Sequence, residues 1–427
     1  MTRSSEVRPI RRAVLLLLFA VAMAGLGNAE AQVERSADAR AHPSDTASVP
    51  ADFRACLSRL RPQAIARGIT GRTFDDQTAA LSPDMAVIEF LDAQPEFVTP
   101  IWDYLAALVD EERVADGREM MGRWRDVLQQ VEARYGVDAH TVVAVWGVES
   151  NYGRNFGKRP LLQSLSTLAC NGRRQDYFKG EFIDTLRIIQ DKDVAPEKLK
   201  GSWAGAFGHT QFMPSTFLRL AVDFDGDGRR DLVDSVPDAL ASTANFLQRS
   251  GWKAGLAWGF EVKLPAGFDS AGTGRRNRQA VTYWSVRGVT RLDGSPLVAG
   301  RVQGDTPAAL LLPAGTGGPV FLVTSNFDAI FSYNAAESYA LAIAHLSERL
   351  RGGSLFARPW PTDDPGLSRA ERRELQELLI ARGQDIGEPD GMIGARTREA
   401  LKAVLPGLGV ESDGRAGRKA LEALRRH

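Results

Sequence analysis

One carboxylate interrupts an otherwise apolar run in Val145-Trp146-Gly147-Val148-Glu149-Ser150-Asn151-Tyr152-Gly153. Trp146 and Val148 would strip water from Glu149 and raise its pKa, because a low-dielectric setting disfavours the charged form. A carboxyl group held protonated near neutrality can donate to a glycosidic oxygen. The competing reading is a solvated or capping glutamate near a helix end. Further on, segment 201–215 mixes glycines, aromatics and polar side chains, among them Ser202 and Gln211. It suits close approach to a sugar, or a tightly packed helix–loop corner. Tyr333, Asn334 and Tyr339 either line the same groove or fill core.

A second acidic constellation has different chemistry. Asp223, Asp225, Asp227, Gly228, Arg229, Asp231 and Asp234 read D-x-D-x-D-G-x-x-D with a further Asp at position 12. Alternating oxygen ligands around a glycine turn suit calcium, with Arg229 offering its carbonyl; Asp234 stands where glutamate would close the shell. The alternative is an Asx-turn loop without metal. Any calcium would be structural, and the chemistry would need no cofactor. Cys56 and Cys170, the only cysteines, lie 114 positions apart and either pair in an oxidising compartment or stay as two buried thiols.

The elements that must position these groups follow from periodicity. Phe53, Cys56, Leu57 and Leu60 recur at helical steps before Gly68. Met120, Trp124, Val127, Leu128, Val131 and Tyr135 predict one helix ending at Gly136, after which Asp138 caps a helix from Ala139 to Ser150. Val, Thr and Tyr alternation at 281–286 and 320–324 predicts a small β element, and helix returns over 335–350. Prolines 359, 361 and 365 mark a stiff linker over 355–366. Beyond it, Ser368 and Glu371 form a capping box, and two copies of D-G-x-x-G, starting at Asp390 and Asp413, each lead into a helix. The closing segment 367–427 reads as a compact three-helix-type module, or as a helical cap on the main domain.

The ends and the charge bound the function. Arg8, Arg11 and Arg12 precede an apolar run and Ala29-Glu30-Ala31, which describes an export signal over 1–31; an uncleaved anchor is the alternative. No cysteine stands at the cleavage point, so the chain is not read as a lipoprotein, and no stable membrane insertion is expected after cleavage. A polar tether follows over 32–50. The full chain has 53 basic and 53 acidic groups; cutting after Ala31 removes four arginines and two glutamates and leaves a slightly acidic protein. That balance argues against nucleic acid as a partner.

Taken together, the motifs resemble the lytic murein transglycosylases of the B type. The matching residues are Trp146 through Gly153, Gly201-Ser202 through Pro214-Ser215, Asn245-Phe246, Gly251-Trp252, Tyr333-Asn334 and Tyr339. The C-terminal repeat resembles a peptidoglycan-binding module. The resemblance implies an α+β, predominantly helical fold: a lysozyme-like catalytic core over 51–354 with a small β insertion. It implies Glu149 as sole acid/base, cleaving the MurNAc–GlcNAc bond without water and leaving 1,6-anhydroMurNAc ends in the periplasm. Ser202, Gln211, Tyr333, Asn334 and Tyr339 match glycan-contacting positions, and Arg173-Arg174 match an arginine pair near the stem peptide. In that family the acidic loop closes on a later aspartate, which is Asp238 here. The rival readings are a lysozyme-type hydrolase, which needs a second carboxylate or a nucleophile, and a non-catalytic wall-binding scaffold. From Trp146 to Arg174 there is no other carboxylate; Asp176 is the next.

Overall fold

The computed structural model describes residues 50–92, 99–300 and 302–427; the export signal and the tether up to Val49 lie outside the described residues. Two apolar cores organise the main domain. Helices Ala51–Ala66, Gly71–Thr78, Leu161–Cys170, Gln175–Gln190 and Pro214–Leu220 surround one, which contains Phe53, Leu60, Phe182 and Phe217. A disulfide joins Cys56 to Cys170 and so ties the first of these helices to the third.

Helices Ile101–Leu108, Glu111–Arg123, Arg125–Tyr135, Ala139–Ser150, Val236–Arg249, Ser325–Asn334 and Glu337–Leu350 surround the second core. Ala139–Ser150 is its axis: every residue from Thr141 to Ser150 is buried. A helix apolar on all sides can only be stable when neighbours cover all of it. Glu111–Arg123, Arg125–Tyr135, Val236–Arg249 and Glu337–Leu350 supply that cover. Phe246 and Tyr333 touch both cores and mark the seam between them.

The single helix predicted across Met120–Tyr135 is two, broken at Trp124 (φ −107°, ψ 23°). Both halves pack on Ala139–Ser150, but beyond it the first meets Glu337–Leu350 and the second Val236–Arg249, so the break at Trp124 sends them to different neighbours. Segment 281–286 is likewise corrected from strand to helix. Val281 and Trp284 are buried three positions apart while Val286 is exposed, and the Trp284 indole donates to the Ala308 carbonyl at 2.9 Å.

The strands are β1 (Arg159–Pro160), β2 (Lys200–Gly201), β3 (Gly259–Lys263), β4 (Gln279–Ala280), β5 (Thr290–Arg291), β6 (Pro307–Leu311), β7 (Pro313–Thr316) and β8 (Val320–Val323). β1 and β2 form a two-stranded ribbon; the larger sheet runs β4-β6-β8-β3-β5, with every pair antiparallel. Leu310 pairs with Leu322 and Leu322 with Phe260. Alternation along the central strands serves two cores at once. Ala309, Leu311, Phe321 and Val323 face the main core, while Ala308, Leu310, Val320 and Leu322 face a small core belonging to the insertion.

The linker is pinned rather than free. Phe356 packs on Phe321 and stacks on His345 with centroids 3.8 Å apart, and Glu261 accepts the amides of Ala357 and Arg358. The terminal module consists of helices Arg369–Ala381, Ala395–Val404 and Arg418–Arg426 around Leu375, Leu379, Leu401, Leu405 and Leu421. Ser368 and Glu371 make the reciprocal capping box. In each repeat copy the Asp-Gly glycine, Gly391 and Gly414, has positive φ, and Gly394 and Gly417 precede the helices directly.

Candidate active site

The Glu149 helix begins with Asp138, whose carboxylate accepts the Thr141 amide at 2.9 Å. It ends at Asn151 and Tyr152, both left-handed with φ of 50° and 58°. Glu149 therefore sits in the last turn, at the seam between the two cores. It is 4% exposed, and burial pushes its carboxyl up to about 8, against a smaller lowering by the Tyr339 hydroxyl, which donates to Oε1. At neutral pH this carboxyl holds its proton.

Segment 201–215 folds as a knot of short reversals that brings Gln211 to the same place. The Ser202 amide donates to the Ala206 carbonyl, the Gly205 amide donates to the Ser202 carbonyl, Phe207 donates to the Phe212 carbonyl, and Gln211 adopts φ 52°. Two bonds bolt this knot to the Glu149 helix. Ser150 Oγ donates to the His209 carbonyl at 2.6 Å, and Trp146 Nε1 donates to His209 Nδ1 at 3.0 Å. Burial holds the His209 imidazole down at about 4, so the ring is neutral and its Nδ1 is free to accept.

Glu149 opens onto a cleft lined by Gln211, Phe212, Met213, Thr216, Phe246, Tyr333 and Asn334. Among these described residues Glu149 is the one carboxylate. The Tyr333 hydroxyl donates to the Thr210 carbonyl at 2.8 Å, and its ring stacks on Tyr339. Gln211 Nε2 is spent on the carbonyls of Phe156 and Gly208, whereas its Oε1 is buried without a hydrogen-bond partner. Both amide atoms of Asn334 are buried and equally unpaired. Buried polar groups left unpaired cost free energy, so such a set at a cleft is built for an incoming ligand rich in donors and acceptors.

The structure thus gathers Glu149, Gln211, Tyr333, Asn334 and Tyr339, and leaves three of the sequence candidates elsewhere. Ser202 is fully buried, and its Oγ accepts the Ala206 amide at 3.1 Å instead of lining the cleft. Arg173 donates to the Leu91 carbonyl, and Arg174, at φ 64°, lies over the Tyr177 ring at the start of its helix. Phe246 and Thr216, to which the sequence assigns no role, also line the cleft; Phe246 lies within Asn245-Phe246, and Thr216 follows segment 201–215 directly.

The acidic loop separates its members. Carboxylate oxygens of Asp223, Asp225 and Asp227 lie within 4.8 Å of one another, the spacing a divalent cation needs. Asp238, expected to close the shell, is fully buried, and its two oxygens accept the amides of Phe224, Asp225 and Asp231. It organises the loop from beneath. Asp234 pairs with Lys198 and is not part of this cluster, and the Arg229 side chain pairs with Asp227. The three clustered aspartates fit a hard cation as a partial oxygen set.

Comparison with known proteins decides the family: the transglycosylase SLT domain matches residues 52–348. The chain belongs to that family. A peptidoglycan binding domain matches residues 368–424. The transglycosylase domain here is similar to membrane-bound lytic murein transglycosylase B of Escherichia coli, 35% identical over 251 residues, or 57% of this chain; the match spans 66% of that relative. SltB3 of Pseudomonas aeruginosa, crystallised with NAG-anhNAM-pentapeptide, is 46% identical with a TM-score of 0.71, covering 88% of this chain and 100% of that one. Slt35 of Escherichia coli, crystallised with calcium, is 29% identical with a TM-score of 0.60, covering 72% and 95%. Among the described residues no helix is long and apolar enough to cross a membrane.

Proposed function

We propose that the protein is a lytic transglycosylase that cleaves the β-1,4 bond between N-acetylmuramic acid and N-acetylglucosamine without water. The observation that carries this is a lone carboxyl, raised to about 8 by burial, in a cleft lined by the unpaired amide oxygen of Gln211 and the unpaired amide of Asn334. With Tyr339 donating to Oε1, the transferable proton sits on Oε2. That proton passes to the glycosidic oxygen as the C1–O bond breaks. The carboxylate so formed, steadied by the Tyr339 hydroxyl, takes the proton of the C6 hydroxyl while O6 bonds to C1. A 1,6-anhydromuramoyl end results and Glu149 is restored to its acid form.

A water-activating second carboxylate would turn the same acid into a hydrolase. Glu181, also buried, is not free for this work, because Ser215 donates to both of its oxygens from its amide and its hydroxyl. The similarity to SltB3, solved with an anhydro sugar, favours the same product here. An export signal over 1–31 would carry the enzyme to the periplasm, where the terminal module would hold it on peptidoglycan. Asp223, Asp225 and Asp227 would bind a structural Ca²⁺ that tightens the loop before Val236–Arg249. Digestion of purified sacculi followed by mass spectrometry of the muropeptides tests the reaction: anhydro ends are expected. Reducing muramic ends in their place would make the protein a hydrolase.

A further inference from the structure

The terminal module reaches the catalytic helix directly. Its first helical residue, Arg369, donates from Nη2 to Asn151 Oδ1 at 3.1 Å. Asn151 is the left-handed residue that closes the Glu149 helix, two positions from the acid. The Arg369 guanidinium is only 11% exposed and also reaches Glu112 from Nη1. Its backbone amide donates to Asp110 Oδ2, while Asp110 Oδ1 accepts the Arg113 amide. One carboxylate thus caps two helix N-termini, one in each domain, where the positive ends of both helix dipoles favour it.

The rest of the contact fixes this geometry. Arg415 makes a two-pronged pair with Asp103, both bonds 2.7 Å, and Arg373 pairs with Glu112 at 2.6 Å. At Gly366 even a Cβ would lie 2.7 Å from the Asp103 Cα, so the chain enters the module at close backbone approach. Below Asn151, Tyr152 donates to the Arg113 carbonyl at 2.8 Å, and Arg113 is buried beneath the module. The end of the catalytic helix is therefore held from two sides: by His209 through Trp146 and Ser150 within the catalytic domain, and by Arg369 from outside it.

We infer that Arg369 is a positioning residue for the reaction: the wall-binding module, through the Arg369–Asn151 bond, fixes the last turn that carries Glu149. The module then contributes to turnover as well as to attachment. A cation at this end of the helix also complements the partial negative charge of its last-turn carbonyls. The inference rests on the reading of Glu149 as the acid.

The test uses the full-length protein and a short soluble glycan carrying stem peptides, so that attachment to an insoluble wall does not enter. Arg369→Ala is expected to lower kcat roughly tenfold, as small misplacements of a reacting group do, with KM held within about twofold. Asn151→Gly keeps the left-handed backbone and leaves the module untouched; it should cause the same loss, and the double variant no further loss. Arg369→Lys should recover part of the rate. An unchanged kcat in both single variants, a change confined to KM, or losses that multiply in the double variant would each overturn the inference. Glu149→Gln is the reference arm. If it stays active, the assignment of the acid fails; if it is inactive while Arg369→Ala and Asn151→Gly turn over normally, only the positioning role fails.

Discussion

The Glu149 cleft and the aspartate loop are both acidic, yet their surroundings give them opposite chemistry. Glu149 stands alone among Phe212, Phe246 and two tyrosines, and burial keeps it protonated. Asp225 and Asp227 lie at the surface beside Asp223, and Arg229 with its backbone amide holds Asp227 below the usual carboxylate range. A solitary carboxyl in an apolar seam keeps its proton; a cluster of exposed carboxylates offers its oxygens to a cation. Carboxylates are common to both, and desolvation separates them.

The sharpest way to break this contrast is Glu149→Gln. Turnover of soluble glycans should fall by about 10²–10⁴-fold, the usual worth of a positioned acid. Stability should move the other way. Glu149 ionises near 4.5 when unfolded and near 8 when folded, so between those values the folded protein binds the extra proton, and stability falls as pH rises through that window. The glutamine variant lacks that loss; melting curves should show its advantage over wild type growing from pH 4.5 to 8. The rate itself should decline above about pH 8 as the acid loses its proton.

Next in size, Asn334→Ala removes the amide whose two polar atoms have no partner in the protein. Steady-state kinetics should show kcat/KM lowered by roughly tenfold, one net hydrogen bond, with little change in melting temperature. Tyr339→Phe should cost less rate but shift the pH profile. The hydroxyl lowers the Glu149 pKa, so its removal should carry the alkaline limb to higher pH. The smallest effect on chemistry is expected at the loop. Chelation with EDTA should lower the melting temperature by removing a stability contribution set by occupancy, about 2.7 kcal/mol at a hundredfold excess of Ca²⁺ over its Kd. Turnover at 25 °C should be unchanged, and Asp225→Asn should reproduce both results.

Local signals were enough for much of the fold. Asp138 and Gly136 delimit helices by capping chemistry, and Ser368 with Glu371 does the same in the module; these bonds form within a few residues and need no tertiary partner. Segment 281–286 is helix and not strand because a run of Val, Thr and Tyr serves a short helix as well as a strand; burial of Trp284 decides it. The break at Trp124 was invisible because it answers to two packing partners and not to a helix-breaking residue. Ser202 differs for a related reason: in a knot of tight reversals a hydroxyl serves either the cleft or the turn, and its bond from the Ala206 amide closes the turn.

By itself the sequence determined that one carboxylate ends an apolar helix, that three aspartates alternate around a glycine turn, and that a repeat module follows a proline-rich segment. Side-chain type and short-range spacing fix such things. Only the tertiary structure decided that Tyr339, 190 positions away, donates to Glu149, and that Asp238 supports its loop from below. The same holds for Arg369, which crosses 218 positions to reach Asn151. Proton affinity and hydrogen bonding depend on what lies within a few ångströms in space, and chain order does not set those distances.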